Sequence, residues 1–241
     1  MLTKICKLCL RHAQLRDSHI IPSSMHKMLK DKQGKNVRFV LPGKLTEKNQ
    51  SDLKEPMLCD VCEGVFSRFE KTTIELLRPL WKSSRQGRMP YVIPGKSTDI
   101  VLSFVRSVFW RASVSTILPK YQLHPSEEDA LRVSLLNKVP VAPKTFPVKL
   151  NFFSFLRRFD SSNIMQAPAM CDNFSDAKFS AFVSMGIIFS MQSPAITADC
   201  DLNPYLAAGE PYKIEVAPSV IAAPCIAAVV GAQEIAKRSA K

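Results

Sequence analysis

The stretch MLCDVCEGVFSRFE, residues 57–70, decides the fold, because it joins a Cys-x-x-Cys pair directly to a helical pattern of apolar residues. The pair is Cys59 and Cys62, and the apolar residues that follow recur every three to four positions. This period is typical of an amphipathic helix. We therefore expect a helix that begins near Cys62 and ends near Pro79, since proline disfavours a continuing helix.

A second pair, Cys6 and Cys9, precedes the first by 49 intervening residues. Together the two pairs supply four thiolates, which is the ligand number of a tetrahedral structural zinc site. The alternative is two unrelated pairs of buried cysteines. We predict a structural Zn²⁺ bound by Cys6, Cys9, Cys59 and Cys62. The remaining cysteines have no partner spacing and are expected to be free core thiols: Cys171, Cys200 and Cys225.

Charge is concentrated near the N-terminus. The chain has a formal net charge of +12. Residues 1–50 contain eight lysines and three arginines against two aspartates and one glutamate, a net +8. A basic segment of this kind favours a polyanionic partner, and we expect nucleic acid, DNA in particular. The expected phosphate contacts are Lys27, Lys30, Lys32, Lys35 and Arg38.

Neither end of the sequence predicts a membrane segment. The N-terminal apolar run is short and is interrupted by Lys4 and Lys7, which is unlike a signal peptide. Residues 218–236 are apolar but contain two prolines, and we interpret them as part of a buried C-terminal helix. With reduced cysteines and no secretory signal, the sequence predicts a cytoplasmic protein that does not bind a membrane.

The predicted fold class is α+β, in three parts. Residues 1–72 form the small zinc module, residues 73–145 a helical segment, and residues 146–241 an α+β C-terminal part. The last part contains alternating or continuous apolar runs that predict strands, such as VKLNFFSFL at 148–156 and FSAFVSMGIIFSM at 179–191. No catalytic motif or phosphate-binding loop occurs after residue 98.

Two helices are predicted in the middle part. The first covers 98–118, with Thr98 or Asp99 as its N-cap, and the second covers 125–137. Arg106 and Arg111 interrupt the apolar face of the first helix. We expect both to extend their guanidinium groups to solvent at the rim of a core helix. The alternative is that they extend a binding surface.

The order Cys-x-x-Cys, then SHIIP at 18–22, then LCDVCEGVF at 58–66 resembles the zinc-stapled branch of the HNH endonuclease family. The resemblance covers roughly residues 4–72. SHIIP and the Cys-x-x-Cys-Glu pattern also look like those of small bacterial and phage proteins similar to HNH proteins. The resemblance implies a module in which two strands and a helix (ββα, treble-clef-like) hold a metal ion against a phosphodiester.

Mapped residue by residue, the resemblance makes His19 the general base. Glu63 stands where the family has its last metal-binding histidine, and Glu70 lies two turns further along the same helix. Both carboxylates are candidate ligands for a catalytic Mg²⁺ or Mn²⁺. The sequence departs from the family at Ser18, where an acidic residue or histidine is expected, and Asn49 is the nearest candidate for the family asparagine.

Structural roles compete with these catalytic ones. His19 is alternatively a histidine that stabilises the zinc-binding loops, and Glu63 a carboxylate at a helix N-terminus, where the dipole favours it. Glu70 is alternatively a surface residue paired with Arg68 or Lys71.

Three functions therefore remain open from the sequence. The first is a metal-dependent DNA endonuclease of the HNH type. The second is a non-catalytic zinc-finger module that binds nucleic acid or a partner protein. The third is a protein-interaction component of phage defence or counter-defence that uses the C-terminal part for recognition.

Overall fold

A computed structural model describes nine segments of the chain, and the statements below concern these segments. They are residues 3–29, 38–41, 44–46, 53–85, 91–137, 145–152, 164–172, 178–192 and 206–216. The predicted C-terminal helix lies outside them, as do most of the proline-rich linker after residue 137 and most of the basic loop between the cysteine pairs.

The protein is mixed α+β, as predicted. Its described helices are α1 (Ser23–Leu29), α2 (Asp60–Arg85), α3 (Gly95–Val114) and α4 (Pro125–Asn137). The strands of the first half are β1 (Lys4–Ile5), β2 (His12–Ala13), β3 (Leu15–His19), β4 (Arg38–Leu41), β5 (Lys44–Thr46), β6 (Lys54–Cys59) and β7 (Tyr91–Ile93). Those of the second half are β8 (Val148–Phe152), β9 (Ile164–Asp172), β10 (Lys178–Ser184), β11 (Ile187–Gln192) and β12 (Tyr212–Val216).

One eight-stranded sheet has the order β5-β4-β9-β10-β11-β8-β12-β7. The β4–β9 and β8–β12 pairs are parallel and the other pairs are antiparallel. A hairpin turn at Met185 and Gly186 joins β10 to β11, and both residues have positive φ (57° and 72°), as the tightest hairpin turns require. The three parts predicted from the sequence all contribute strands to this sheet: β4 and β5 from the first, β7 from the second and β8–β12 from the third.

Helix α3 covers one face of the sheet with aromatic side chains. The rings of Phe104 and Phe189 meet edge to face with centroids 6.3 Å apart, and those of Phe109 and Phe182 at 5.4 Å. Such tilted contacts add to the stabilisation from burial alone. Nearly all of α3 after its first turn is buried, which makes it the central helix of the hydrophobic core.

The predicted end of α2 at Pro79 is wrong, because the helix continues to Arg85. Proline lacks an N–H and removes a helical hydrogen bond, at a cost of about 3 kcal/mol in a helix interior. The hydroxyl of Tyr91 donates to the carbonyl of Leu76 at 3.0 Å, on the turn that the proline interrupts. This contact and the packing of Leu77 in the core stabilise the turn of the helix that precedes the proline.

The predicted N-cap of α3 is also wrong, because the helix begins earlier, at Gly95. Thr98 instead donates its hydroxyl to the Gly95 carbonyl at 2.7 Å and accepts the N–H of Gly209 at 3.0 Å. A Cβ atom on Gly95 would lie 2.3 Å from the Gly209 carbonyl oxygen. A loop of the C-terminal part therefore fixes the first turn of α3, and only glycine fits at that contact.

The expectation that Arg106 and Arg111 reach solvent is wrong as well. Their exposed fractions are 5% and 0%. Arg106 donates to the carbonyl of Phe146 at 3.1 Å, and burial lowers its pKa to about 10. Local sequence shows that both residues lie on an apolar helix, but their acceptors come from distant segments of the chain.

Two small antiparallel sheets lie apart from the large one: β1 pairs with β2, and β3 with β6. Helix α2 follows β6 without a loop. This arrangement places three of the four predicted zinc ligands close together, because Cys59 ends β6, Cys62 lies in the first turn of α2, and Cys6 follows β1. None of the described helices is both long enough and apolar enough to span a membrane.

Candidate metal centre

The structure brings the four predicted zinc ligands together. The Sγ atoms of Cys6, Cys9, Cys59 and Cys62 all lie within 4.8 Å of one another, and those of Cys9 and Cys59 are 3.9 Å apart. A tetrahedral ion with Zn–S bonds of about 2.3 Å separates its sulfur ligands by about 3.8 Å. The cluster thus has the ligand number, the ligand type and the spacing that a metal ion of this kind requires.

A tight turn shapes the first cysteine pair. The N–H of Leu10 donates to the carbonyl of Cys6 at 2.9 Å, and the N–H of Cys6 donates to the carbonyl of Arg11 at 2.9 Å. Leu10 has φ of 60°, a left-handed conformation that costs a leucine roughly 1–2 kcal/mol. The turn is therefore strained at Leu10, and a metal ion that holds Cys6 and Cys9 would oppose its opening.

The surroundings of the sulfur atoms favour one thiolate and oppose others. Burial is the largest influence on Cys6 and opposes its ionisation, but backbone N–H groups of Cys9, Cys59 and Leu8 outweigh it and lower the pKa of this thiol to about 7. Burial raises the pKa values of Cys9 and Cys62, and nearby sulfur atoms raise that of Cys62 further. Several thiolates can exist here together only with a cation among them, which is the role of a bound metal.

Contacts with α3 and α4 hold the cysteine-bearing turn in place. The Lys7 ammonium donates to the carbonyl of Val114 at the end of α3 and lies 3.7 Å from the Glu55 carboxylate. Arg132 of α4 donates to the carbonyl of Leu8 at 3.2 Å. The turn is thereby attached to the helical part, and the cluster joins the chain's first residues to its core.

Ser18 and Glu63 meet next to the cysteine cluster. The fully buried Ser18 hydroxyl donates to the Glu63 carboxylate at 2.8 Å, which links the end of β3 to the first turn of α2. Ser18 and Glu63 stand at two of the positions where the sequence departs from the HNH pattern. The two positions are thus in direct contact, and Glu63 is only partly buried.

Glu70 forms an ion pair that the sequence did not predict. Its carboxylate accepts a hydrogen bond from the guanidinium of Arg111 at 2.8 Å, with exposed side-chain fractions of 18% and 0% respectively. The same nitrogen atom donates to the carbonyl of His19 at 2.7 Å, and the guanidinium lies over the ring of Phe66, 5.2 Å from its centroid. Arg111 therefore connects α3 to both β3 and α2. Two of its acceptors, the His19 carbonyl and the Glu70 carboxylate, belong to predicted catalytic residues.

The three predicted catalytic residues lie on two elements, β3 and α2, whose contact region we call the β3–α2 wall: His19 ends β3, Glu63 lies in the first turn of α2, and Glu70 lies two turns further along that helix. Their side chains do not form a metal-binding group in the described part of the chain, where the four cysteines are the one set of three or more His, Cys, Asp or Glu ligand atoms close enough to share an ion. His19 is half-buried at the end of β3. Its predicted role as a general base remains a prediction.

Of the residues predicted to contact nucleic acid, Lys27 is the one whose side chain the structure describes, and it is exposed on α1. Lys30, Lys32 and Lys35 lie outside the described residues, and only the backbone of Arg38 is described, in β4. The buried position of Arg111 between the candidate site residues is the feature that sequence reasoning missed. The signal that could have indicated a buried ion pair is an arginine within the apolar face of a helix, because a fully buried arginine is almost always paired. Ser107, one turn earlier on the same helix, also contacts its guanidinium group.

No protein-family model matches this chain, and neither a curated protein nor a solved structure is significantly similar to it.

Proposed function

We propose that this chain is a zinc-stapled module, built on an HNH-like arrangement, that binds nucleic acid without cleaving it. The observation that carries the proposal is the use of the candidate catalytic carboxylates inside the protein. Glu70 neutralises the buried Arg111, and Glu63 accepts the hydroxyl of the buried Ser18. A carboxylate that compensates a buried guanidinium cannot leave it for a metal ion without a large cost.

Zinc is the metal that best fits the cysteine cluster. Four thiolates in a closed set are typical of structural zinc sites, whereas catalytic zinc sites retain a position for water. The predicted ligands are Cys6, Cys9, Cys59 and Cys62, which the structure places together. When bound, the ion would supply the positive charge that stabilises the thiolates and would hold β1, β6 and α2 to one another.

Nucleic acid is the partner that the charge distribution favours. Lys4, Arg11 and Lys27 are exposed, and none of the ion pairs among the described residues involves them. The net charge of +8 over residues 1–50 adds to their field. Such a surface contacts phosphates rather than bases, so we expect binding that is insensitive to sequence and sensitive to salt.

The test is duplex DNA binding at several salt concentrations. The wild-type protein should bind with an affinity that falls steeply as salt rises, and the triple variant Lys27→Glu, Lys30→Glu, Lys32→Glu should lose binding. A control with the same change in charge replaces three exposed lysines elsewhere, Lys96, Lys120 and Lys213, by Glu. Equal losses in both triple variants would show only a net-charge effect and would contradict a basic surface at the zinc module.

A nuclease is the second candidate, and one observation favours it. β3 pairs with β6, and α2 follows β6 directly, which gives two paired strands and a helix. Ser18, the neighbour of His19, donates a hydrogen bond to Glu63 in the first turn of that helix. If this site were active, His19 would serve as general base and Glu63 would hold Mg²⁺ or Mn²⁺.

Cleavage assays separate the two candidates. The binding module should leave single- and double-stranded DNA intact with Mg²⁺, Mn²⁺ or Ni²⁺. Cleavage by the wild-type protein that falls about a hundredfold in both His19→Ala and Glu63→Ala would establish the nuclease instead. Zinc content and DNA binding of each variant serve as controls for folding.

A further inference from the structure

Helix α2 carries a row of basic residues along one side. Charged residues recur in it at alternating spacings of three and four positions, and residues so spaced are neighbours on one face of a helix. This α2 basic row consists of Arg68, Lys71, Arg78, Lys82 and Arg85, with Glu75 as its acidic member. The structure describes the side chains of Arg68, Lys71, Glu75 and Arg78, and all four are exposed.

The hydrophobic core fixes the side of α2 that faces solvent. Phe66, Ile74 and Leu77 are buried, and the ring of Phe66 meets that of Trp110 on α3 with centroids 6.0 Å apart. Because this apolar face packs in the core, the helix cannot rotate to bury its charged side. The folded chain therefore holds the α2 basic row in one orientation.

The described cations of the row have no carboxylate partner. Glu70 is the acidic residue nearest to Arg68 and Lys71 in sequence, but its carboxylate pairs with the buried Arg111. Glu75 lies one turn from both Lys71 and Arg78, yet no ion pair among the described residues joins it to either. The row thus presents positive charge that the described part of the protein does not neutralise.

An ordinary solvated helix face does not account for this pattern. Opposite charges three or four positions apart stabilise a helix, whereas like charges at that spacing destabilise it. The row contains three such like-charged pairs: Arg68 with Lys71, Arg78 with Lys82, and Lys82 with Arg85. The helix dipole favours cations in the last turn, which gives Lys82 and Arg85 a structural role, but it gives none to the other three.

We propose that the α2 basic row binds the phosphate backbone of a DNA duplex, an inference that rests on the proposed function and adds a second surface to it. At a rise of about 1.5 Å per residue, Arg68 and Arg78 are about 15 Å apart along the helix axis, and the whole row spans about 25 Å. Each DNA strand has a phosphate about every 3.4 Å along the duplex axis, so the row matches the length of about seven base pairs.

A membrane surface is the other polyanion that a basic helix can contact. Interfacial helices insert an apolar face among the lipids. The apolar face of α2 is instead buried against α3, as the contact between Phe66 and Trp110 shows. The exposed side offers cations for phosphates and little apolar surface for acyl chains, which favours DNA.

Neutralising the row tests the proposal. The triple variant Arg68→Gln, Lys71→Gln, Arg78→Gln keeps good helix-forming residues. It should weaken binding of a duplex of about 20 base pairs at least about tenfold near 0.1 M salt. The log–log salt slope should fall by about two to three, since each lost phosphate contact removes about 0.9. Fluorescence anisotropy at several salt concentrations measures both quantities.

The control has the same net charge but leaves the row intact. It replaces three exposed lysines outside α2, Lys96, Lys120 and Lys213, by Gln, and it should keep the wild-type salt slope. Both triple variants change exposed side chains, so zinc content and the free energy of unfolding should stay at the wild-type values.

A single substitution tests the row with the opposite sign. Glu75→Gln removes its acidic member and should strengthen duplex binding about two- to threefold, because the field of the row then has no opposing charge. Glu210→Gln raises the net charge equally at an exposed residue outside α2 and should leave the affinity unchanged. This pair of variants also tests the proposal if the triple variant folds poorly.

The possible failures are distinguishable. An unchanged salt slope in the α2 triple variant, or an equal fall in the control, would overturn this proposal while DNA binding through Lys27 stands. A wild-type protein that binds no duplex would remove the proposed function and this inference with it. If that protein instead binds vesicles of phosphatidylserine and phosphatidylcholine, and the α2 triple variant does not, the row belongs to a membrane surface.

Discussion

The cysteine cluster and the wall formed by His19, Glu63 and Glu70 are built by the same neighbouring elements, yet their chemistry differs. In the cluster, four sulfur atoms converge, and among the described residues their contacts are with backbone N–H groups and with one another rather than with positively charged side chains. In the wall, each carboxylate already has a donor from the protein, Ser18 in one case and Arg111 in the other.

The difference indicates which region needs an added cation. Ligand atoms that converge without protein counter-charges are stable as thiolates only around a metal ion. Carboxylates that accept hydrogen bonds from buried donors stabilise the fold without a metal ion. We therefore interpret the first region as a metal site and the second as a structural network, and the following changes should separate them.

The largest effect is expected from Cys59→Ser. Structural zinc contributes on the order of 10 kcal/mol to the folding of small zinc modules, so loss of one ligand should lower the free energy of unfolding by about 5 kcal/mol or more. Chemical denaturation measures it, with Cys200→Ser as the control at a cysteine outside the cluster. Equal stability of the Cys59 variant and the wild-type protein would remove the reason to assign a metal here.

Glu70→Gln should have the next largest effect. It leaves the guanidinium of Arg111 buried without a counter-charge, and breaking a buried pair in this way costs about 3 kcal/mol. Glu75→Gln, at an exposed residue of the same helix, should change the free energy of unfolding by less than about 0.5 kcal/mol. A Glu70 variant as stable as this control would mean that Glu70 is free for another role, including metal binding.

Ser18→Ala should have a smaller effect. The substitution removes one hydrogen bond to the half-buried Glu63 carboxylate, at a cost of about 1 kcal/mol. Ser67→Ala, at an exposed serine of α2, provides the comparison by thermal or denaturant unfolding. If Ser18→Ala instead increases stability, the Ser18–Glu63 contact does not stabilise this wall.

The smallest effect, and the opposite sign, is expected from Leu10→Gly. Glycine adopts φ of 60° without strain, although it also has more freedom in the unfolded chain, so the net gain should be about 0.5–1 kcal/mol. Leu10→Ala shortens the side chain but keeps a Cβ atom at positive φ, and it should bring no gain. An equal gain in both variants would attribute the effect to the exposed leucine side chain rather than to the backbone.

The sequence was sufficient to predict the cysteine cluster. A Cys-x-x-Cys pair carries its own geometry, because the two thiols of one tight turn already point to a common centre. The contact between Ser18 and Glu63 could be predicted only in part from the sequence. The resemblance to HNH proteins assigns both residues to one site, but their mutual hydrogen bond depends on how β3 and α2 pack.

The partners of Arg111 could not be predicted, because they are 41 and 92 positions away in sequence. The strand order of the large sheet could not be predicted for the same reason. Its strand β4, which lies between the two cysteine pairs in sequence, pairs with the distant β9. The sequence of a short strand such as Arg38–Leu41 shows its propensity to form a strand, but it does not show which strand it pairs with. Periodicity predicts elements, whereas their long-range pairing is set by packing that a single sequence does not display.

The metal content of the purified wild-type protein tests the central claim most directly. Elemental mass spectrometry should find about one Zn²⁺ per chain, with none retained by Cys62→Ser and the full amount retained by Glu63→Ala, since zinc is assigned to the cysteines alone. Absence of zinc from the wild-type protein, or its retention in Cys62→Ser, would contradict the account.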